Sequence, residues 1–144
     1  MLTKRTSEKT SPSGKKVLVT RAGDQATALT VALAEIGVDP VVVPTIEIIP
    51  PASFVELDQA IADLDQVDYL ILTSVNAVNA FFDRLVAQGR NPQALSAIQT
   101  VAVGPKSAEA LFERGVTADL IPQDYRAEGV VALLKDRVSG KRLL

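Results

Sequence analysis

Residues 68–78, with the sequence DYLILTSVNAV, decide the fold of this chain. A short apolar run of β type over 69–74 passes directly into a helical pattern over 76–88. The apolar residues of that pattern recur three and four positions apart and share one helix face: Val78, Phe81, Phe82 and Leu85. A strand followed at once by an amphipathic helix is the unit of parallel α/β sheets.

The same alternation precedes this stretch. A β run over 16–21 leads into a helix predicted over 24–36, with Asp24 as its N-cap and Gly37 as its C-terminal stop. The apolar residues on one face of this helix are Ala26, Leu29, Leu33 and Ile36.

The alternation also continues downstream. Strands are predicted over 100–104 and 118–121, and helices over 106–114 and 126–138, with Gly115 ending the first helix. We therefore predict an α/β fold with a parallel sheet flanked by helices and joined by right-handed crossovers.

One β run departs from this pattern. The run over 41–49 is longer than its neighbours and contains Pro44, which removes a donor from the ladder. It is either an edge strand or a connector between two lobes. A helix over 53–64 follows, where Ser53 and Glu56 match a capping box.

The two ends of the chain resemble each other. The last segment, SGKRLL at 139–144, is similar to SGKKVL at 13–18, which leads into the first strand. The similarity suggests that a second copy of the same unit begins here, and that the chain is cut in the middle of a strand.

Composition excludes several classes of function. The chain has no Cys and no His, which excludes disulfides, thiol nucleophiles, Ser–His–Asp triads and Cys/His zinc sites. Residues 1–16 carry a net charge of +4, from five basic side chains and one acidic, and the remainder carries −6, from ten basic and sixteen acidic. An acidic body of this kind argues against nucleic-acid binding.

The N-terminus is expected to be a solvated extension. Residues 1–14 are basic and rich in Ser and Thr, and they contain no apolar core of a secretory signal. The same composition also fits organellar targeting. No run approaches the length of a membrane span, so we expect a cytoplasmic protein that does not bind membranes.

Candidate binding residues lie where strands pass into helices. In open α/β sheets ligands collect beyond the carboxyl ends of the strands, near free N–H groups of helix N-termini. Four corners meet this condition: residues 20–23, 73–77, 104–107 and 122–128. The alternative is that Ser74, Asn76 and Ser107 only cap helices. Neither a P-loop nor a dinucleotide-binding glycine motif is present.

Five segments, in order and spacing, resemble the uroporphyrinogen-III synthase family. They are VLVTR at 17–21, VVVPTIEIIP at 41–50, DYLILTSVNAV at 68–78, VAVGPKSAEAL at 101–111 and IPQDYRAEGVVALL at 121–134. The resemblance covers residues 15–144. Ser107 stands where the family usually has Thr, so the hydroxyl is kept.

The resemblance implies a two-domain enzyme with β connectors, incomplete in this chain. Residues 1–14 would be a disordered basic tail, 15–40 the first βα unit of domain 1, and 41–51 the connector. Residues 52–144 would form most of domain 2, truncated at its next βαβ unit. As a fragment, the chain is expected to be poorly soluble and inactive.

The resemblance also implies the reaction. The family closes the linear tetrapyrrole hydroxymethylbilane to uroporphyrinogen III, inverting ring D and losing water, as a monomeric lyase without metal or other cofactor. The residues expected to bind this substrate are Thr20, Arg21, Thr73, Ser74, Asn76, Ala77, Gly104, Pro105, Lys106 and Ser107. No catalytic residue is assigned, and Tyr125 is expected to pack against the connector.

A second hypothesis takes the chain as it stands. A stand-alone α/β module could bind a small polyanionic ligand at the same corners without performing any reaction. The sequence beyond residue 144 distinguishes this hypothesis from the first, because a natural stop there favours the module.

Overall fold

The structure, a computed structural model, describes residues 14–144, and of residues 23–25 it describes the backbone alone. The predicted N-terminal tail therefore lies outside the described residues, apart from Gly14. The chain divides into two compact units, Met1–Pro51 and Ala52–Leu144. The assignment of residues 1–14, 15–40, 41–51 and 52–144 to parts of two enzyme domains stays a prediction.

The first unit is one strand–helix–strand motif. Strand β1 (Lys16–Val19) passes into helix α1 (Gly23–Glu35), which returns the chain to strand β2 (Asp39–Val42). The two strands are parallel, with Lys16 opposite Asp39 and Val19 opposite Val42. This motif is the βαβ unit that the alternating sequence pattern predicts.

Helix α1 begins earlier than predicted. Its N-cap is Ala22, whose carbonyl accepts the first helical hydrogen bond from Ala26 N–H at 3.0 Å. Asp24 therefore lies inside the helix, and its prediction as N-cap is wrong. The predicted stop is confirmed, because Gly37 has a φ of +80° and its N–H bonds back to Ala34.

The apolar face predicted for α1 is only partly covered within this unit. Ala26 is buried and Leu33 half-buried, whereas Leu29 and Ile36 are exposed. A single helix on two strands offers too little surface to cover a whole apolar face.

Strand β2 is shorter than the β run predicted over 41–49. It ends at Val42, and residues 43–50 form no strand. Pairing fades gradually, since the N–H groups of Val43 and Thr45 still donate to carbonyls at the end of β1 at 2.9 and 3.2 Å. Pro40 and Pro44 lie between the residues whose N–H groups donate toward β1. Each proline nitrogen is therefore on the side of the chain that faces away from β1. Proline there removes no bond to β1.

The second unit holds the larger sheet. Strands β3 (Tyr69–Leu72) and β4 (Gln99–Ala102) are parallel, and single bridges add Leu143 beside β3 and Leu120 beside β4. Four parallel segments therefore lie side by side. The helices of this unit are α2 (Val55–Ala62), α3 (Val75–Ala87), α4 (Pro105–Glu113) and α5 (Ala127–Leu134). Short 3-10 turns at Leu64–Gln66 and Pro92–Leu95 complete the unit. The predicted α/β class with parallel strands and flanking helices is confirmed.

Two helices of this unit differ from their predicted ranges by more than one residue at an end. Helix α2 starts at Val55, because the Ser53 hydroxyl accepts from Val55 N–H at 3.2 Å in a local turn. The predicted capping box with Glu56 is therefore wrong. Helix α5 ends at Leu134 instead of continuing to residue 138, and Arg137 N–H closes a tighter turn on the Leu134 carbonyl.

Both faces of the larger sheet are covered, as expected for parallel strands. Leu70 and Leu72 of β3 lie in the main core beneath α2, α3 and α4. The best-buried helical members of this core are Ile61, Val78, Phe82, Leu85 and Leu111. On the opposite face, Tyr69 packs with Val101 and Leu134 of α5. The predicted buried face of α3 is confirmed.

The similar segments at the two ends of the chain pair in similar ways. Residues 14–18 run parallel to a strand that begins at Asp39, and residues 141–144 run parallel to a strand preceded by Asp68. Each aspartate donates its N–H to the carbonyl of a basic residue in the segment, at 2.9 Å in both cases. Both segments therefore pair in parallel, with acceptors one position apart in the sequence match, since Lys15 aligns with Lys141 and not with Arg142.

Candidate functional site

Two of the predicted corners lie next to each other. Tyr69 is opposite Gln99 and Leu72 opposite Ala102, so the carboxyl ends of β3 and β4 meet at one edge of the sheet. The helices that follow are linked as well, since Arg114, the residue directly after α4, donates to α3 at Asp83 (2.7 Å) and Asn79 (2.9 Å). The N-termini of α3 and α4 are therefore neighbours.

The first corner follows β3. Ser74 is the N-cap of α3, and its Oγ accepts a hydrogen bond from Ala77 N–H at 3.1 Å. The capping interpretation is confirmed for Ser74, yet its hydroxyl proton remains able to donate to a ligand. Thr73 and Asn76 are exposed beside it, and Asn76 lies in the first turn and is not a cap.

The second corner follows β4. Gly104 is the N-cap of α4, and Pro105 occupies the first helical position, where a missing N–H costs nothing. The first helical bond runs from Ala108 N–H to the Gly104 carbonyl at 3.0 Å. The amides of Lys106 and Ser107 therefore belong to the turn whose N–H groups have no partner within the helix.

Side chains in this second corner differ in exposure. Ser107 is only 5% exposed, so its hydroxyl lies beneath the surface and does not cap the helix. Lys106 is exposed, and its Nζ lies 2.7 Å from a carboxylate oxygen of Glu109 one turn along. That hydrogen bond raises the pKa of Lys106 above its ordinary value. The lysine is a cation already paired with an acid.

The fourth predicted corner contributes a loop at the same edge. Leu120 pairs with Val101 of β4, so the chain leaves the sheet beside the second corner. The side chain of Tyr125 lies against Gly104, since a Cβ on that glycine would be 3.6 Å from the Tyr125 Cγ. This contact was not predicted, because no local sequence pattern links residues so far apart.

Thr20 and Arg21 follow β1 and are exposed. The Thr20 carbonyl accepts both the N–H and the hydroxyl of Thr45, at 3.2 and 3.1 Å. These two residues belong to the compact unit Met1–Pro51, separately from the two corners that the larger sheet brings together.

Two further properties concern the described residues as a whole. None of the helices between residues 14 and 144 combines the length and apolar character needed to cross a membrane. In the same part of the chain, no three acidic side chains come together where they could hold a metal ion.

Together these features define an α/β protein that presents neighbouring helix N-termini at the carboxyl edge of a parallel sheet, an arrangement suited to anions. A family model described as uroporphyrinogen-III synthase HemD matches residues 27–144. The chain belongs to the uroporphyrinogen-III synthase family.

Individual relatives agree with this assignment. The uroporphyrinogen-III synthase of Synechococcus elongatus is 40% identical over 131 residues, which cover 91% of this chain and 49% of that protein. The porphyrin biosynthesis protein HemD of Ruminiclostridium josui is 30% identical over 125 residues, covering 87% of this chain and 25% of that protein.

A solved structure shares the fold. A crystal structure of a mutant uroporphyrinogen III synthase from Thermus thermophilus superimposes with a TM-score of 0.61 at 20% identity. The match covers 83% of this chain and 47% of that one. The chain thus spans about half the length of the Synechococcus and Thermus proteins.

Proposed function

We propose that the protein is a uroporphyrinogen-III synthase, a lyase that cyclises hydroxymethylbilane with inversion of ring D and loss of water. The observation that carries this proposal is the pair of neighbouring N-termini of α3 and α4 in a chain of this family. Because the chain spans about half of the length of the Synechococcus protein, we further propose that the 144 residues supply part of the substrate-binding surface and are inactive alone.

The substrate is rich in carboxylates, whereas the chain has a net charge of −2. Backbone amides resolve this mismatch. A helix N-terminus stabilises an anion by about 0.3–1 kcal/mol, and a hydrogen bond to a charged group contributes about 1.5–3 kcal/mol. Two such termini can therefore bind acid side chains of the substrate with few arginines or lysines nearby.

We assign the contacts by exposure. At the first corner, Thr73, Ser74 and Asn76 are exposed residues with polar side chains, and we assign them to carboxylate binding. At the second corner, the buried Ser107 would contribute its N–H, and Lys106 its N–H together with a charge shared with Glu109. Thr20 and Arg21 would bind another part of the substrate.

The reaction needs no covalent bond between the protein and the substrate. When the hydroxyl of the substrate takes up a proton and leaves as water, the adjoining pyrrole nitrogen stabilises the resulting cation, and a proton is released when the ring closes. The protein then has to fold the linear chain so that the reacting pyrrole positions approach each other. Binding carboxylates at fixed points along the sheet edge would produce that folding.

The proposal also covers the location, oligomeric state and partners of the protein. We propose a cytoplasmic monomer in its full-length form that binds neither nucleic acid nor membranes. The acidic sequence pI of 5.1 supports the first of these exclusions, because nucleic-acid binding depends on a basic surface.

Isomer analysis tests the activity. The full product of the gene, incubated with hydroxymethylbilane, is expected to yield mainly uroporphyrin III after oxidation. The spontaneous reaction gives isomer I, so reactions without protein and with heat-denatured protein are the controls. Isomer I alone from the folded protein would contradict the proposal. The 144-residue chain, assayed separately, is expected to give isomer I.

A further inference from the structure

Tyr125 lies at the second corner with much of its ring uncovered. The residue is 59% exposed, although atoms from its Cβ to its Cδ1 lie within 3.6–3.9 Å of the position that a Cβ on Gly104 would take. Gly104 heads α4, so the ring stands beside the amides that we assign to carboxylate binding.

The position of Tyr125 is fixed by the packing of its loop. Pro122 is buried, and the Asp124 carbonyl lies so close to Gly129 of α5 that a Cβ there would be 1.9 Å from the oxygen. The next residue, Tyr125, then meets Gly104. The loop therefore lies between Gly104, the N-cap of α4, and Gly129 of α5.

Gly104 is required neither by its backbone nor by this approach, since a Cβ there would lie 3.6 Å from the Tyr125 Cγ, an ordinary contact distance. Its φ of −168° and ψ of 171° are extended values that any residue adopts. The tyrosine ring stands directly beside the residue that begins α4. An aromatic surface and an anion-binding turn are thereby placed side by side.

We propose that Tyr125 is a substrate-positioning residue whose ring contacts a pyrrole ring of the tetrapyrrole while an acid side chain of that pyrrole binds at the N-terminus of α4. The inference rests on the proposed function and adds to it one subsite and its chemistry. A pyrrole is planar and aromatic and carries its carboxylates on short side chains, which matches the pairing of surfaces at this corner. Aromatic pairs of this kind change affinity by about three- to tenfold.

The test compares variants in the full product of the gene, with hydroxymethylbilane as the probe. Y125A is expected to raise KM by about three- to tenfold with a smaller change in kcat, because it removes binding that substrate and transition state share. Y125F keeps the ring and is expected to restore most of the affinity. F112A is the matched control. Phe112 is an exposed aromatic residue (71%) of α4, but it lies near the C-terminal end of that helix, away from Gly104.

The possible outcomes are separable. A KM for Y125A equal to that of the unmodified protein overturns the inference, and so does a Y125F variant as impaired as Y125A, since the hydroxyl would then be the binding group. If Y125A fails to fold, Y125L replaces it, and an unchanged KM for Y125L overturns the inference. The proposed function fails independently, because the unmodified protein would then give isomer I alone.

Discussion

The carboxylate of Asp68 binds the C-terminal segment at two points, beginning with Lys141, whose Nζ lies 2.8 Å from Oδ1. The Arg142 N–H donates to the other carboxylate oxygen at 2.9 Å. These two bonds, that from Lys141 first, lower the pKa of Asp68, and the partnership with Asp68 raises the pKa of Lys141. Because Tyr69 pairs with Leu143 directly afterwards, Asp68 sets where this edge segment joins the sheet.

The first prediction is that docking of this segment depends on pH. A carboxyl with a lowered pKa contributes stability above its ordinary value of 3.8, and that contribution is lost as the pH falls through the lowered value. Lys141, whose pKa is raised, contributes below its ordinary value of 10.5 and loses that contribution as the pH rises beyond it.

Hydrogen exchange measures this dependence. Leu144 N–H donates to the Tyr69 carbonyl at 2.9 Å, so its protection factor is expected to be constant near neutral pH and to fall as the pH drops below 3.8. D68N is expected to lower protection at neutral pH as well. D65N is the control, since Asp65 is exposed and lies 3.7 Å from Arg90. Equal protection in D68N and D65N would contradict the prediction.

The second prediction separates capping from substrate binding at Ser74. S74A should cost about 1 kcal/mol of stability, because Ala77 N–H loses its side-chain acceptor. S74D restores a good N-cap but places a negative charge where a substrate carboxylate is proposed to bind. Its unfolding free energy should match that of the unmodified protein to within about 0.5 kcal/mol, while KM for hydroxymethylbilane rises at least about tenfold.

Thermal unfolding and steady-state assays on the same preparations check this separation. S74T, which keeps a hydroxyl, is the conservative control. An S74D variant that retains both stability and KM would show that no substrate anion approaches this cap.

The third prediction concerns the glycine beneath the Asp124 carbonyl. G129A would put a Cβ 1.9 Å from that oxygen, so the loop has to move, at a cost of about 1–3 kcal/mol. G104A is the matched control, because its Cβ would lie 3.6 Å from Tyr125, an ordinary van der Waals distance. Chemical denaturation of both variants should rank G129A well below G104A, and the reverse order would contradict the packing described for this loop.

The fourth prediction concerns the main core. Phe82 is 1% exposed and packs edge-to-face on Phe81, with ring centroids 5.5 Å apart. F82A should lower the free energy of unfolding by about 3–5 kcal/mol. F112A should change it by less than about 0.5 kcal/mol, because Phe112 is exposed. Urea titrations followed by circular dichroism measure both. Similar losses in the two variants would mean that Phe82 is not part of a packed core.

The parts of the fold that were predictable have local causes. Gly37 and Gly115 end helices because each takes a φ near +80°, which glycine tolerates. The buried face of α3 follows from residue spacing alone. Errors arose where two local interactions compete: the Ser53 hydroxyl accepts from Val55, and this turn displaces the predicted start of α2.

The positions of the two neighbouring corners were predictable from the sequence, but their long-range contacts were not. The rule that ligands gather beyond parallel strand ends selects the corners at 73–77 and 104–107, and the register of β3 and β4 brings them together. Burial of Ser107 and the approach of Tyr125 to Gly104 depend on contacts distant in sequence. Spacing and composition carry no information about such contacts.

The parallel register of β3 and β4 also determines which ligands can bind both corners at once, because it sets the distance between the two helix N-termini. Neighbouring parallel strands are about 4.8 Å apart, and the helices packed on them about 8–10 Å apart. Occupying the N-termini of α3 and α4 together therefore requires two acid groups separated by roughly the width of one helix. A small monoacid reaches one terminus only, and a compact diacid is too short. Acid groups on successive rings of an extended oligopyrrole meet the requirement, so the sheet itself would discriminate between ligands by the distance between their charges.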